Sequence, residues 1–266
     1  MKTILCPTDF SITASNAVMY AANLAQLIPA DLVLMHALHV PMVDAYAPAT
    51  TLAAMMEESE TSARKRLDNL CEEISNAFNI KVRSYLAFGL ASDLVSKAEA
   101  SEGADLVVLG THGATNAIDV LLGTTASQIM TKTHHPTLVV PKDAQFEGLD
   151  KVGYATDFTS DSDGMIEEFG ALMRPFNAEI SVVHVAVENE SSDQMANILK
   201  HFENMSDPQM IKGENIPEEL NAFIWENNLK LLAMKRHRYN WFDKLFHRSV
   251  TKQMVYHSEV PVLIFN

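Results

Sequence analysis

The sequence is poor in cysteine, in basic residues and in long apolar runs. Only two cysteines occur in 266 residues, Cys6 and Cys71, which suits a reducing cytoplasm better than a disulfide framework. Their apolar neighbours predict buried thiols in a reducing compartment. No apolar run reaches the length that spans a bilayer, and the chain opens on a strand-like segment without a secretory signal. We therefore expect a cytoplasmic protein without membrane contact.

Positive charge is also scarce, with 20 Lys and Arg residues against 34 Asp and Glu residues and a formal net charge of −14. A surface of this sign repels the phosphates of duplex nucleic acid, so nucleic acid is not expected as a partner. The apolar fraction of 47% is that of an ordinary globular protein with a buried core.

What the chain does contain is one pattern written twice. The Thr-Asp-Phe of residues 8–10 returns at residues 156–158, and His36 returns as His184, both 148 positions later. Near the end the shift falls to 125 positions, because the second copy is shorter in its middle. A polar segment, residues 142–150, joins the copies as a short linker would.

Each copy alternates short runs of Val, Leu and Ile with helical patterns. In the first predicted helix the apolar residues from Ala14 to Ile28 recur at spacings of three and four, and a longer apolar stripe follows within residues 53–78. The near-continuous apolar runs indicate strands buried on both faces of a parallel sheet. We predict an α/β fold of two tandem five-stranded parallel-sheet domains, residues 1–144 and 149–266.

A glycine pattern follows the fourth strand of the first copy. Gly110 and Gly113 come directly after that strand, and Gly123 precedes a predicted helix that begins at Thr124 and ends before Pro136. Glycines let a ligand approach the backbone, and a helix start favours phosphate. The pattern predicts a polyphosphate held by backbone donors and hydroxyls, with simple loop formation as the alternative.

Two other glycine motifs are excluded. A Walker A loop needs Lys before its Ser or Thr, and here Gly123 precedes Thr124 directly. A dinucleotide fingerprint would follow the first strand, which runs instead into the glycine-free segment PTDFS.

The spacing Gly-x2-Gly-x9-Gly-Thr, together with the opening ILCPTDFS, resembles the universal stress protein family. The resemblance covers both copies, of which the second is more divergent. It implies Rossmann-like domains of the adenine nucleotide alpha hydrolase type, related by a pseudo-two-fold axis. It implies that their last strands, residues 136–141 and 261–266, pair. It also implies an adenine nucleotide as ligand, ATP with Mg²⁺.

The resemblance assigns ten residues of the first copy to this nucleotide. They are Pro7, Thr8, Asp9, Ala37, Leu109, Gly110, Gly113, Gly123, Thr124 and Thr125. The first three would border the adenosine, with Asp9 accepting hydrogen bonds. Ala37, where family members often have Val, would contact adenine through its backbone. The first two glycines would line the ribose and phosphates, and Gly123 with the two threonines would hold the phosphates and their Mg²⁺.

In the second copy, Lys235, Arg238 and Arg248 replace the three glycines. Side chains then fill the places where backbone had to meet the ligand, so we expect this nucleotide site to be lost. A basic side chain that binds an anion is the alternative. The aromatic-basic segment 235–248, which includes Trp241 and Phe242, is interpreted as a plug over the vacated cleft, with partner or membrane docking as the alternative.

The sequence favours binding over catalysis. The sequence has ten histidines but does not predict a metal site, because no Cys or carboxylate lies at zinc-like spacing from the pair His134 and His135. We place this pair in the last turn of a helix. Phosphoryl transfer needs charge clamps, yet residues 110–130 hold no Lys or Arg and one carboxylate, Asp119. We expect no catalytic residues and at most slow ATP hydrolysis.

The leading hypothesis is a nucleotide-binding regulator of the stress response that switches an unidentified protein partner. A scaffold that binds no nucleotide and uses segment 235–248 is the first alternative, and a slow ATPase is the second. Whether two chains form a homodimer stays open.

Overall fold

The computed structural model describes residues 1–42, 44, 46, 48–111, 124–156, 163–186, 205–236 and 250–266. The chain divides into two compact units, Met1–His135 and Pro136–Asn266. This division differs from the predicted domains 1–144 and 149–266 by one strand, Thr137–Val140, which groups with the second unit.

The first unit is a parallel sheet with helices. Its strands are β1 (Thr3–Pro7), β2 (Asp31–Leu38), β3 (Val82–Phe88) and β4 (Leu106–Gly110). Its helices are α1 (Ile12–Leu27), α2 (Ala49–Phe78), α3 (Ala91–Glu102) and α4 (Thr124–Lys132). The strand order is β3-β2-β1-β4, and all three pairings are parallel. The two middle strands are therefore β1 and β2, whose side chains are largely buried.

Local sequence sets the helix bounds of this unit. Ser11 caps α1, because its Oγ accepts a hydrogen bond from the Ala14 N–H at 3.2 Å. The alanine-rich stripe of α1 is buried as its spacing predicts. Helix α2 is longer than predicted and is buried only in its second half, at Leu67, Cys71 and Ile74.

The second unit contains six strands. They are β5 (Thr137–Val140), β6 (Lys151–Ala155), β7 (Glu179–Ala186), β8 (Met205–Lys212), β9 (Leu231–Lys235) and β10 (Val262–Phe265). Its described helices are α5 (Asp163–Met173), a 3-10 helix (Arg174–Phe176), α6 (Ile216–Glu226) and α7 (Val250–His257). The order is β5-β10-β9-β6-β7-β8.

Within this sheet β5 runs antiparallel to β10, with Val139 opposite Val262, and the other pairings are parallel. The predicted pairing of the two last strands is confirmed. Three buried rings, Tyr154, Phe169 and Phe265, pack together in the core of the unit. The described part of the chain is thus an α/β fold with ten strands, paired mostly in parallel, and the sequence predicts this fold class.

Candidate functional site

The strand order of the first unit brings the predicted site residues on and after β1, β2 and β4 to one edge of the sheet. β1 lies between β2 and β4, with Pro7 opposite Met35 and Leu5 opposite Val107. The residues after β1, the end of β2 and the end of β4 therefore share the carboxyl edge. Ligands of open parallel sheets bind at such an edge.

The turn after β1 is held by hydrogen bonds. Thr8 is buried; its N–H donates to the Met35 carbonyl at 2.7 Å, and its Oγ1 accepts from the Phe10 N–H at 3.0 Å. The next residue, Asp9, is exposed, and its Oδ1 accepts from the Ser11 N–H at 3.0 Å. The turn thus presents the Asp9 carboxylate toward solvent on a fixed backbone.

His36 fixes the same turn from the neighbouring strand. Its Nδ1 lies 2.7 Å from the Thr8 carbonyl oxygen, and because a carbonyl only accepts, Nδ1 carries the hydrogen and donates. The ring packs on Phe10, which has a positive φ of 61°, at a centroid distance of 4.5 Å. The Arg66 guanidinium lies 4.2 Å from the centre of the Phe10 ring. His36 is therefore a positioning residue.

Sequence reasoning missed this stack of three side chains. The repeat of Thr-Asp-Phe in both copies marked Phe10, but no signal in the sequence pointed to Arg66, which comes from α2. Among the described residues no group of three or more His, Cys, Asp and Glu side chains could hold a metal ion.

Gly110, at the end of β4, is required by packing. A Cβ at this position would lie 2.9 Å from the Thr13 carbonyl oxygen and 3.2 Å from Thr13 Cγ2. The first turn of α1 therefore crosses the strand end at a distance that only glycine allows. Packing thus provides a reason for Gly110 besides the predicted approach of a ligand.

The other predicted residues divide between described and undescribed parts of the chain. The Leu109 side chain is buried, which leaves only its backbone for a ligand, and Ala37 is half-buried in β2. Helix α4 begins at Thr124 as predicted, with Thr125 exposed in its first turn. Gly113, Gly123 and Asp119 lie outside the described residues.

The second unit contains the same hydrogen bond between a histidine and a threonine carbonyl. His184 Nδ1 lies 2.7 Å from the Thr156 carbonyl oxygen, and the Thr156 N–H donates to the Val183 carbonyl at 3.0 Å. Lys235 ends β9 where Gly110 ends β4. Asp157, Arg238, Arg248 and the aromatic residues of segment 235–248 lie outside the described residues.

The prediction that His134 and His135 occupy the last turn of a helix is wrong. Helix α4 ends at Lys132, and the backbone N–H groups of both histidines donate to Glu99 Oε1, at 3.2 and 3.3 Å. Glu99 lies on α3 and is 2% exposed. Its carboxylate replaces the helical carbonyls as acceptor, so the helix stops before these residues.

Comparisons with known proteins agree with this geometry. The model of the universal stress protein family matches residues 1–141. A universal stress protein of Methanocaldococcus jannaschii is 27% identical over 155 residues, which cover 53% of this chain and 95% of that protein. Universal stress protein G of Escherichia coli O157:H7 is 30% identical over 144 residues, covering 52% of this chain and 98% of its own.

Similarity to solved structures extends over nearly the whole chain. The crystal structure of a universal stress protein from Archaeoglobus fulgidus aligns with a TM-score of 0.78 at 17% identity, covering 99% of this chain and 98% of that chain. At this identity the likeness shows the fold alone. No helix in the described part of the chain combines the length and the apolar composition that a bilayer crossing requires.

Proposed function

Because the chain belongs to the universal stress protein family, we propose that its first unit binds an adenine nucleotide at the carboxyl edge of the sheet. The ligand we propose is ATP with Mg²⁺, and its binding regulates contact with a protein partner during stress.

One observation carries this proposal: three neighbouring strands end together in groups suited to a nucleotide. The turn at Thr8 is locked by hydrogen bonds from β2, the Asp9 carboxylate faces solvent, and Gly110 ends β4 without a side chain. A carboxylate accepts hydrogen bonds from ribose hydroxyls, and the carboxyl ends of parallel strands are where ligands of such sheets bind.

The start of α4 suits the phosphates. An α-helix presents unpaired N–H groups and the positive end of its dipole at its first turn. Helix α4 begins at Thr124, and Thr125 is exposed in its first turn. A threonine hydroxyl can donate to a phosphate oxygen and can be a ligand of Mg²⁺. When bound, Mg²⁺ would neutralise phosphate charge that residues 110–130, which lack Lys and Arg, do not.

The role we propose is binding and signalling, with no catalytic residue. Phosphoryl transfer depends on cationic clamps at the terminal phosphate, and the sequence of the glycine stretch supplies none. The read-out we propose is a change in the partner contacts of residues 114–122, which lie outside the described residues. A ligand shifts such an equilibrium only by binding one state more tightly than the other.

The test is the substitution Gly123→Arg, which copies the second unit. We expect the affinity for ATP with Mg²⁺, measured by isothermal titration calorimetry, to fall at least 100-fold, about 2.8 kcal/mol. An arginine side chain would fill the place where backbone is proposed to meet phosphate. Gly110 is unsuitable for this test, because a Cβ there would collide with Thr13 whether or not a ligand binds.

The matched control is Gly164→Arg. Gly164 is exposed on α5 of the second unit, and a Cβ there would meet nothing within 4 Å. This variant carries the same added charge and should bind ATP as the unsubstituted protein does. If Gly123→Arg binds ATP normally, the proposed cradle is wrong. If neither the wild-type protein nor any variant binds a nucleotide, the result favours the alternative role, a scaffold that uses segment 235–248.

A further inference from the structure

The second unit contains a cavity at the carboxyl edge of its own sheet. Its volume is about 180 Å³, and it lies at the ends of β6, β7 and β9, between these strands and the helices α6 and α7. In the sheet β6 lies between β7 and β9, as β1 lies between β2 and β4 in the first unit. The cavity thus lies at the carboxyl edge of the sheet, the position of the proposed nucleotide site in the first unit, but the second copy lacks the three glycines of the first.

The walls of this cavity are mainly apolar. Val183, Val185 and Met234 line it from the strands, and Ile216 and Leu220 line it from α6. A cavity of about 150 Å³ with such walls is known in another protein to hold benzene. The space here therefore suits a ring, or a chain of about six carbons.

Lys235 is the single Lys, Arg, Asp or Glu among the described residues that line the cavity. The carbonyl of Lys235 accepts a hydrogen bond from Thr251 Oγ1 at 3.4 Å, which ties β9 to the first turn of α7. Val250 and Thr251 of that turn also line the cavity. The start of a helix adds positive potential to this side of the cavity.

The cavity also has a rigid polar border. His184 and Thr156 both line it and are joined by the 2.7 Å hydrogen bond from Nδ1 to the carbonyl oxygen. His184 is 5% exposed, so this border is fixed in the fold. Apolar walls with a few fixed polar groups are typical of small-molecule sites.

We propose that this cavity binds a small organic monoanion, with its apolar body between α6 and the strands and its carboxylate paired with Lys235. A carboxylate matches one ammonium group. A triphosphate needs several cations or a cradle of backbone donors, and the three glycines of the first copy are absent here. The second unit thus keeps the position of the first unit's site and changes the chemical class of its ligand. This proposal does not depend on nucleotide binding by the first unit.

The probe is hexanoate, with hexanamide as its neutral counterpart. In titration calorimetry on the full chain we expect hexanoate to bind with a stoichiometry of one and at least tenfold more tightly than hexanamide. Lys235→Met keeps the length of the side chain and removes its charge, so it should lower hexanoate affinity at least tenfold and leave hexanamide unchanged. Lys151→Met is the matched control, because Lys151 is exposed at the opposite end of β6.

A second variant tests the cavity itself. Val185→Phe should fill the space and abolish binding of both probes, with circular dichroism confirming that the unit is folded. The proposal is overturned if Lys235→Met binds hexanoate as tightly as wild type does. It is also overturned if wild type binds no hexanoate, as expected when the chain's own aromatic segment fills the cleft. Competition by ATP would place the probe in the first unit and would likewise refute it. Gly123→Arg should bind hexanoate normally, which separates this test from that of the nucleotide site.

Discussion

At the scale of single residues, Gly110 is constrained by packing within its own unit as well as by the proposed ligand. Gly110 lacks a side chain where a nucleotide is proposed to bind, but its nearest constraint is the Thr13 carbonyl oxygen of its own unit. His36 donates to the carbonyl of Thr8, which follows β1, and His184 donates to the carbonyl of Thr156, which follows β6. Residues that recur in both copies therefore build the turn, whichever ligand it serves.

The two thiols give a prediction on reactivity. Burial raises the pKa of Cys6 to about 12, and burial together with the Asp68 carboxylate raises the pKa of Cys71 to about 11. Because the thiolate is the reactive form, we expect 5,5′-dithiobis(2-nitrobenzoate) at pH 8 to label the native protein at least 100-fold more slowly than the urea-unfolded chain. Cys71→Ser should remove the faster of the two native phases.

The same raised pKa fixes the direction of a pH effect. The unfolded Cys6 thiol ionises near pH 9 and the folded one only near pH 12, so its contribution to stability is present below pH 9 and is lost as the pH rises toward 12. Cys6→Ala should weaken this alkaline loss. Rapid labelling of one thiol in native Cys71→Ser would contradict the burial of Cys6.

At the scale of elements, periodicity predicted the alternation of strands and helices, while the ends of helices depended on contacts from elsewhere in the chain. The Gly-Thr-Thr sequence located the start of α4 at Thr124, but its end at Lys132 depends on Glu99, 33 positions earlier on α3. Similarly, Arg66 of α2 reaches Phe10, although nothing near Phe10 in the chain indicates it. Local pattern determines where an element forms, and distant side chains determine where it stops.

Glu99 gives a prediction at this scale. Its carboxylate accepts from two backbone N–H groups after α4, and hydrogen bonds to charged groups contribute roughly 1.5–3 kcal/mol each in favourable cases. We expect Glu99→Ala to lower the free energy of unfolding in urea by about 2 kcal/mol. Glu99→Gln retains an oxygen acceptor and should lose about half as much. Equal losses in the two variants would show that the hydrogen bonds contribute little.

At the scale of the whole molecule, two units carry two proposed sites with different chemistry. The sequence predicted the duplication and the conversion of the glycines to basic residues, because both are visible as repeated letters. It did not predict the apolar cavity of the second unit, whose walls come from five elements that only folding brings together. Composition reports which groups are present, and packing decides which space they enclose.

Ligand linkage separates the two units experimentally. At 100 times its dissociation constant, ATP with Mg²⁺ should stabilise the unit that binds it by about 2.7 kcal/mol. We expect hydrogen exchange followed by mass spectrometry to slow in peptides from Met1–His135 and to stay unchanged in Pro136–Asn266. Gly123→Arg should abolish the protection. Protection confined to the second unit would show that the nucleotide binds there, which would contradict our proposal.

The position of β10 has a consequence for synthesis. This strand follows every other strand in the chain but lies between β5 and β9 in the sheet. A ribosome delivers the four strands of the first unit by residue 110, whereas β5 and β9 must wait for residues 262–265 to join them. Until then their open edges can pair with foreign chains. We therefore expect the nascent second unit to expose unpaired strand edges for longer than the first unit does.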